Sequence, residues 1–193
     1  MSKHFQTLKV IDIKRETPKT VSVIFELPGN LKDEFKYKAG QYLTIKAMVN
    51  GEEIRRSYSL SSSPDEENLK ISSKTVEGGK MSNYLDSQLQ IGQEMQVMAP
   101  EGRFVTEGLP IAAGLVLFAA GSGITPIMSI VKDVLKNQPQ RKISLFYCNS
   151  VEEEIIFRKE LEDLKKIIAI FAEPANKSPE KVLEKHLSAA DLT

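Results

Sequence analysis

Around Gly108-Leu109-Pro110 the rhythm of the apolar residues changes, and that change constrains the fold more than any other feature. Before it lie short runs at 7–13, 21–27, 42–49, 54–60, 69–74 and 94–98, mostly rich in β-branched residues and set apart by Pro, Gly, Asn or Asp. Asn50-Gly51 is a two-residue hairpin signal, because both turn positions need positive φ. Six short strands at this spacing imply a small antiparallel barrel or sandwich.

After it, strands and helices alternate. Residues 115–120 form a continuous apolar run, as expected when both faces of a parallel sheet are covered. The next helix places Ile127, Ile130, Val131, Val134 and Leu135 on one face. A strand at 143–148 leads to a helix at 152–166, with Phe157, Leu161 and Leu164 inward and glutamates in its first turn, where the dipole favours them. A third strand at 167–172 precedes a third helix opened by Ser178-Pro179. The alternation implies a parallel, nucleotide-binding type of sheet. The predicted units are 1–108 and 109–193.

Lys plus Arg equal Asp plus Glu at 26 each, so nucleic acid and anionic membranes are poor partners. The longest apolar stretch, 111–120, is too short to span a bilayer, and the first residues have no apolar signal core. A single cysteine, Cys148, excludes an internal disulfide and any cluster held by four cysteines; it closes an apolar strand and reads as a small core residue. His4 and His186 share no ligand spacing with it, so no metal site is expected. A cytoplasmic, soluble protein is the simplest expectation.

Four motifs carry the chemistry. In Arg56-Ser57-Tyr58-Ser59, strand alternation puts Arg56 and Tyr58 on one face, where an arginine can fork onto a pyrophosphate and a tyrosine can stack on a flat ring. Ser59 should face away unless the strand twists or ends there. Gly78-Gly79-Lys80-Met81-Ser82 permits a sharp turn, with Ser82 capping a helix whose free N–H groups attract an anion. Gly102, in Pro100-Glu101-Gly102-Arg103-Phe104, reads by itself as a turn. Gly121-Ser122-Gly123-Ile124-Thr125-Pro126 follows a buried strand and opens an amphipathic helix, an arrangement that cradles a pyrophosphate. Pro126 stands where a dinucleotide fingerprint has its third glycine, and proline suits a first helical turn.

In this order the motifs resemble the ferredoxin–NADP reductase family of flavoproteins. The run from Tyr37 to Thr44, with Arg55-Arg56-Ser57-Tyr58-Ser59, is most similar to reductase subunits of the phenylacetyl-CoA oxygenase type. The resemblance implies a six-stranded antiparallel Greek-key flavin-binding barrel followed by a partial parallel-sheet nucleotide domain. It assigns Arg56 to the FAD pyrophosphate, Tyr58 to the isoalloxazine and Ser59 to the neighbourhood of flavin N5. Gly79, Lys80, Met81 and Ser82 give a second FAD contact. Only this resemblance places Gly102 where the barrel passes the flavin diphosphate. Gly121, Ser122, Gly123, Thr125 and Pro126 go to NAD(P)H, with Thr125 near the nicotinamide. Tyr58, Ser59 and Thr125 are thereby the candidate catalytic residues. FAD and NAD(P)H are the implied cofactors, and a ferredoxin-like or oxygenase component is the implied partner. The other reading is a flavin- or nucleotide-holding regulatory or docking module without efficient turnover.

Two departures bear on this. Relatives continue into a further strand and Cys-Gly-Pro beside the nicotinamide, whereas this chain ends at Thr193 after three predicted nucleotide-domain strands. It is then a fragment or naturally short, with slow turnover expected. Many relatives carry an arginine just after the second of those strands, where this chain has Asn149-Ser150 followed by Glu152-Glu153-Glu154. Acid near a ribose 2′-hydroxyl favours NADH; alternatively, the glutamates only complement their helix dipole.

Overall fold

A computed structural model describes residues 4–110, 112–164 and 167–172, the last segment by its backbone alone. Six antiparallel strands make the first sheet: β1 (Phe5–Thr17), β2 (Thr20–Phe25), β3 (Tyr42–Val49), β4 (Glu52–Ser59), β5 (Leu69–Lys74) and β6 (Glu94–Met98). Their order is β4-β3-β6-β1-β2-β5. β1 pairs with β6 through its first half and β2 through its second, and register shifts at Val10/Asp12 and Arg15/Thr17 let it bend between them. The β3–β4 hairpin turns at Asn50 (φ 52°) and Gly51 (φ 78°), the paired positive values expected from the sequence.

Alternate residues point inward, so Leu8, Val10, Leu43, Ile45, Ile71 and Val97 are fully buried in one core. Truncating any of them to alanine should cost about 2–5 kcal/mol. Helix α1 (Lys80–Ser87) is held against this core by Met81 and Leu85, and Leu89 beyond it is buried in the same cluster. The ends of the sheet meet at a single bridge, Leu60 to Ile71, beside Ser61 N–H to Lys70 O at 2.8 Å. Beyond that bridge β4 and β5 diverge.

The second sheet is parallel, in the order β7 (Leu115–Ala120), β8 (Ile143–Cys148), β9 (Ile167–Ala172). Between them run α2 (Ile124–Asn137) and α3 (Arg158–Asp163). The predicted inward face of α2 is buried, apart from the half-buried Leu135, with Met128 added.

Three expectations change here. The 115–120 run is not covered on both faces: Leu115, Leu117 and Ala119 are buried, whereas Val116 is 60 % and Phe118 71 % exposed. The core residues of α2 and α3 cluster with the buried side alone. Cys148, next after the buried Tyr147, lies on the other side and is exposed, so it is not a core residue. Finally, helix 152–166 is shorter than predicted. Glu152–Glu154 form a separate 3-10 turn, and Phe157 adopts a left-handed conformation (φ 61°) before α3 begins. That conformation costs roughly 1–2 kcal/mol in a non-glycine residue. Burial of the Phe157 ring, with the Lys70 ammonium 5.4 Å from its centroid, offsets it. The glutamates therefore do not sit in a helix first turn. The predicted helix at Ser178-Pro179 and His186 lie outside the described residues.

Polar contacts join the two sheets. Ser129 Oγ donates to Ser62 O at 2.6 Å, and Lys132 of α2 reaches Glu66 (3.2 Å) and Glu160 of α3 (2.7 Å). Glu154 accepts from Lys19 and Lys74, each at 2.7 Å.

Candidate active site

Where β4 and β5 part, a cleft of about 710 Å³ opens between the barrel and the start of α2. That volume falls within the usual range of small-molecule sites. One wall is β4. Ile54 anchors its inward face in the core, and Arg56 and Tyr58 follow on that face at the cleft. Arg56 is exposed, and its Nη1 donates to Arg55 O at 2.7 Å, leaving most of the guanidinium fork directed elsewhere. Tyr58 packs one side of its ring on the barrel core. Burial pushes its phenol above the ordinary value, opposed by Ser73 and the Arg56 charge. Strand β4 ends at Ser59, and Ser57 and Ser59 both line the cleft as well. β4 stays in register with β3 to its last residue, and the four consecutive residues line the cavity at the sheet end, where β4 has no ladder with β5.

The second wall is the N-terminus of α1. The helix starts at Lys80 with Gly79 as its cap, so Ser82 is not the capping residue expected. Ser82 stands one turn in, where its Oγ accepts from Val76 N–H and donates to Gly79 O, both at 3.3 Å. A Cβ on Gly79 would lie 2.5 Å from that Oγ, so the turn itself requires glycine. The intrahelical ladder begins with Asn83 N–H to Gly79 O, which leaves the amides of Lys80, Met81 and Ser82 without a helical carbonyl. Met81 is buried in the core and also borders the cleft. The Lys80 ammonium pairs with Glu52 of β4 across the opening.

The third wall is the start of α2, where Ser122, Gly123, Thr125 and Pro126 line the cleft. Gly121–Gly123 form a 3-10 turn running into the helix, and Thr125 Oγ1 donates to Ser122 O at 3.0 Å. Gly123 has an ordinary φ of −62°, and a Cβ there would meet nothing within 4 Å. The fold does not need a glycine at 123; a ligand lying against the backbone would. Gly121 (φ 49°) is absent from the cleft lining, and so is Gly102 (φ 124°), where a Cβ would come within 3.1 Å of the Tyr42 ring.

The cleft thus gathers every predicted flavin residue of β4 and α1, and every predicted nucleotide residue except Gly121. It also gathers residues that motif reading missed: Glu52, Ser57, Val76 and the Ser72-Ser73-Lys74 run of β5. Two serines in a strand otherwise buried as core were the available signal. Ser72 Oγ is satisfied by Ser22 Oγ at 2.7 Å and Ser61 Oγ at 3.1 Å.

An exposed arginine fork, a helix N-terminus, a lysine and a half-buried aromatic ring along one cleft fit a flavin dinucleotide. The open backbone at Gly123 fits a second dinucleotide. The oxidoreductase FAD-binding domain model matches residues 7–106, just over half the chain, and the oxidoreductase NAD-binding domain model matches 117–170. The chain belongs to the FAD- and NAD-binding oxidoreductases. One subunit of the 1,2-phenylacetyl-CoA epoxidase of Escherichia coli (strain K12) is 35% identical over 162 residues, covering 83% of this chain and 46% of that protein. The ferredoxin reductase component of the 3-ketosteroid-9-alpha-monooxygenase of Rhodococcus rhodochrous is 38% identical over 159 residues, 81% of this chain and 44% of that one. The chain spans about half the length of the curated relatives it matches. A ferredoxin NADP+ reductase from Neisseria gonorrhoeae, with bound FAD and NADP, shares the fold with a TM-score of 0.79 at 24% identity, covering 96% of this chain and 78% of that one. Among the described residues of this oxidoreductase, no helix is long and apolar enough to cross a membrane.

Proposed function

We propose that this chain is an NAD(P)H-dependent, FAD-containing reductase that passes electrons to an iron–sulfur or oxygenase component. The observation that carries the reading is the single cleft walled by β4, α1 and the N-terminus of α2, which brings the FAD-binding and NAD-binding regions onto one space. The likeness to components of an epoxidase and of a monooxygenase supports the partner class. On this reading residues 1–108 hold the flavin and 109–193 the pyridine nucleotide.

When bound, FAD supplies the redox chemistry, accepting a hydride and releasing electrons singly; the protein supplies position and charge. Arg56, Lys80 and the amides at the start of α1 would hold the diphosphate. Tyr58, half-buried at the cleft, would stack on the isoalloxazine and shield it from water. Ser59, at the strand end, would offer a hydroxyl to the flavin from the cleft wall. The backbone at Gly123 admits the nucleotide diphosphate, and Thr125, pinned on Ser122 O, limits where the nicotinamide rests. Holding the hydride donor and acceptor atoms at near-attack distance is the contribution that would accelerate transfer.

The test is a visible spectrum of the purified protein, before and after anaerobic NADH and NADPH. Flavin absorption that bleaches on addition is expected. A protein that retains no flavin, or a flavin that never responds, would remove the reading.

A further inference from the structure

Helix α2 forms one wall of the cleft with its first turn and meets the 61–66 segment of the barrel unit further along its length. The two apolar cores barely touch there. Among the described residues of 1–108, Ala39 alone belongs to the second core, and a Cβ on the neighbouring Gly40 would come within 3.2 Å of Ile130 Cδ1. One small apolar contact leaves a helix free to tilt.

Polar groups take up that freedom. Ser129 and Ser62 are both fully buried, and the bond from Ser129 Oγ to Ser62 O gives α2 a fixed point. Nearly one turn on, the Lys132 side chain is 16 % exposed and reaches two carboxylates, Glu66 of the barrel unit and Glu160 of α3. Burial works against its charge, yet Glu160 and Glu66 raise it above the ordinary lysine value, so the ammonium is kept at any working pH. Glu66 is itself braced by Ser63 N–H at 2.8 Å, and Glu160 by the Lys70 ammonium of β5 at 3.9 Å. At the end of the helix Lys136 and Asn137 meet Asp65 at the surface, where such contacts contribute little.

Helical rise sets the lever. Thr125 stands about 6 Å along the axis on one side of Ser129, and Lys132 about 4.5 Å on the other. A tilt of about 10° around Ser129 would therefore carry Thr125 by about 1 Å. A misplacement of that size can cost about a hundredfold in rate when reacting groups must meet at near-attack distance.

We propose, on the reductase reading of the cleft, that Lys132 is a positioning residue for hydride transfer. By clamping α2 to Glu66 and Glu160 it fixes the tilt of the helix whose first turn faces the flavin side. Lys132 is not part of the cleft lining, so it acts through the helix and not on a ligand.

The test uses the flavin-loaded full chain, labelled at its native Cys148 and at Lys9→Cys on β1, both exposed positions. Dipolar spectroscopy without nucleotide reads the distance between the two sheets. Stopped-flow on the unlabelled chain reads the limiting rate of flavin reduction by pyridine nucleotide. Lys132→Met should broaden the distance distribution and lower the limiting rate about ten- to hundredfold, while the FAD and nucleotide dissociation constants hold. Lys132→Arg, which keeps the charge, should restore both. Glu66→Gln, at the exposed end of the cluster, should shift both the same way by less. A Lys132→Met chain with the parent's distance distribution or the parent's rate overturns the proposal, and so does a loss that Lys132→Arg does not repair. A parent chain whose flavin is never reduced removes the reductase reading instead, and the distance alone then decides whether Lys132 holds the joint.

Discussion

The two helix N-termini that face the cleft carry their glycines for opposite reasons. At α1, Gly79 is demanded from within, since a Cβ would run into Ser82 Oγ. At α2, Gly123 is in ordinary helical geometry with open space around it. A glycine with an internal cause says nothing about ligands. A glycine without one points outward, so the second site is the more telling even though its motif is the weaker match to a fingerprint.

The largest expected effect is on the flavin side. Arg56→Ala should weaken FAD binding by roughly 2–5 kcal/mol, the range for removing one partner of a hydrogen-bonded charge pair. Apo-protein titrated with FAD measures it, and an unchanged affinity would detach Arg56 from the diphosphate. Next comes Gly79→Ala, which should lower folding stability by about 1–3 kcal/mol through overpacking. A denaturant midpoint equal to the parent's would mean that Ser82 simply rotates aside. Gly123→Ala should do the reverse, leaving the midpoint in place while weakening pyridine nucleotide by about 1 kcal/mol, the lower end of the same steric range. Losing stability without losing affinity would erase the contrast between the two glycines.

The smallest effect concerns the joint between the two sheets. The ammonium groups of Lys19 and Lys74 hold Glu154 down to about 2, well below the ordinary carboxylate value near 4.5. Its folded pKa is depressed, so the stability it contributes is fully present above about pH 4.5 and fades as the pH falls towards 2. Water screens the exposed Lys19, so the contribution is modest. Urea midpoints of the parent and Glu154→Gln should converge over that window. A constant gap between them would place the acid sensitivity on other carboxylates.

Much of the barrel was legible because alternation and turn chemistry act locally. The strands at 42–49, 69–74 and 94–98 coincide with the folded ones, and Asn50-Gly51 turns as its residue types require. The parts that escaped depend on distant partners. Nothing local says that Phe157 takes a left-handed conformation, because its compensation comes from burial in the second core and from Lys70 on β5. Nothing local says that Val116 and Phe118 stay exposed, because periodicity reports an apolar run but not which face a helix covers. In the site, Arg56, Tyr58 and the helix starts were readable as motifs. The β5 serines were not, since they reach the cleft only through the divergence of two strands far apart in sequence.

The single bridge from Leu60 to Ile71 makes the barrel an interrupted ring, and interruption has a thermodynamic meaning. Opening at that seam breaks few hydrogen bonds, so its free energy lies far below that of global unfolding. A ligand spanning β4 and α1 raises that opening cost with the logarithm of its concentration over its Kd. Amide exchange near the seam then follows the flavin concentration, while β1 and β2, interior to the ring, exchange at a rate set by the whole domain. The cofactor is in that sense the barrel's last cross-link.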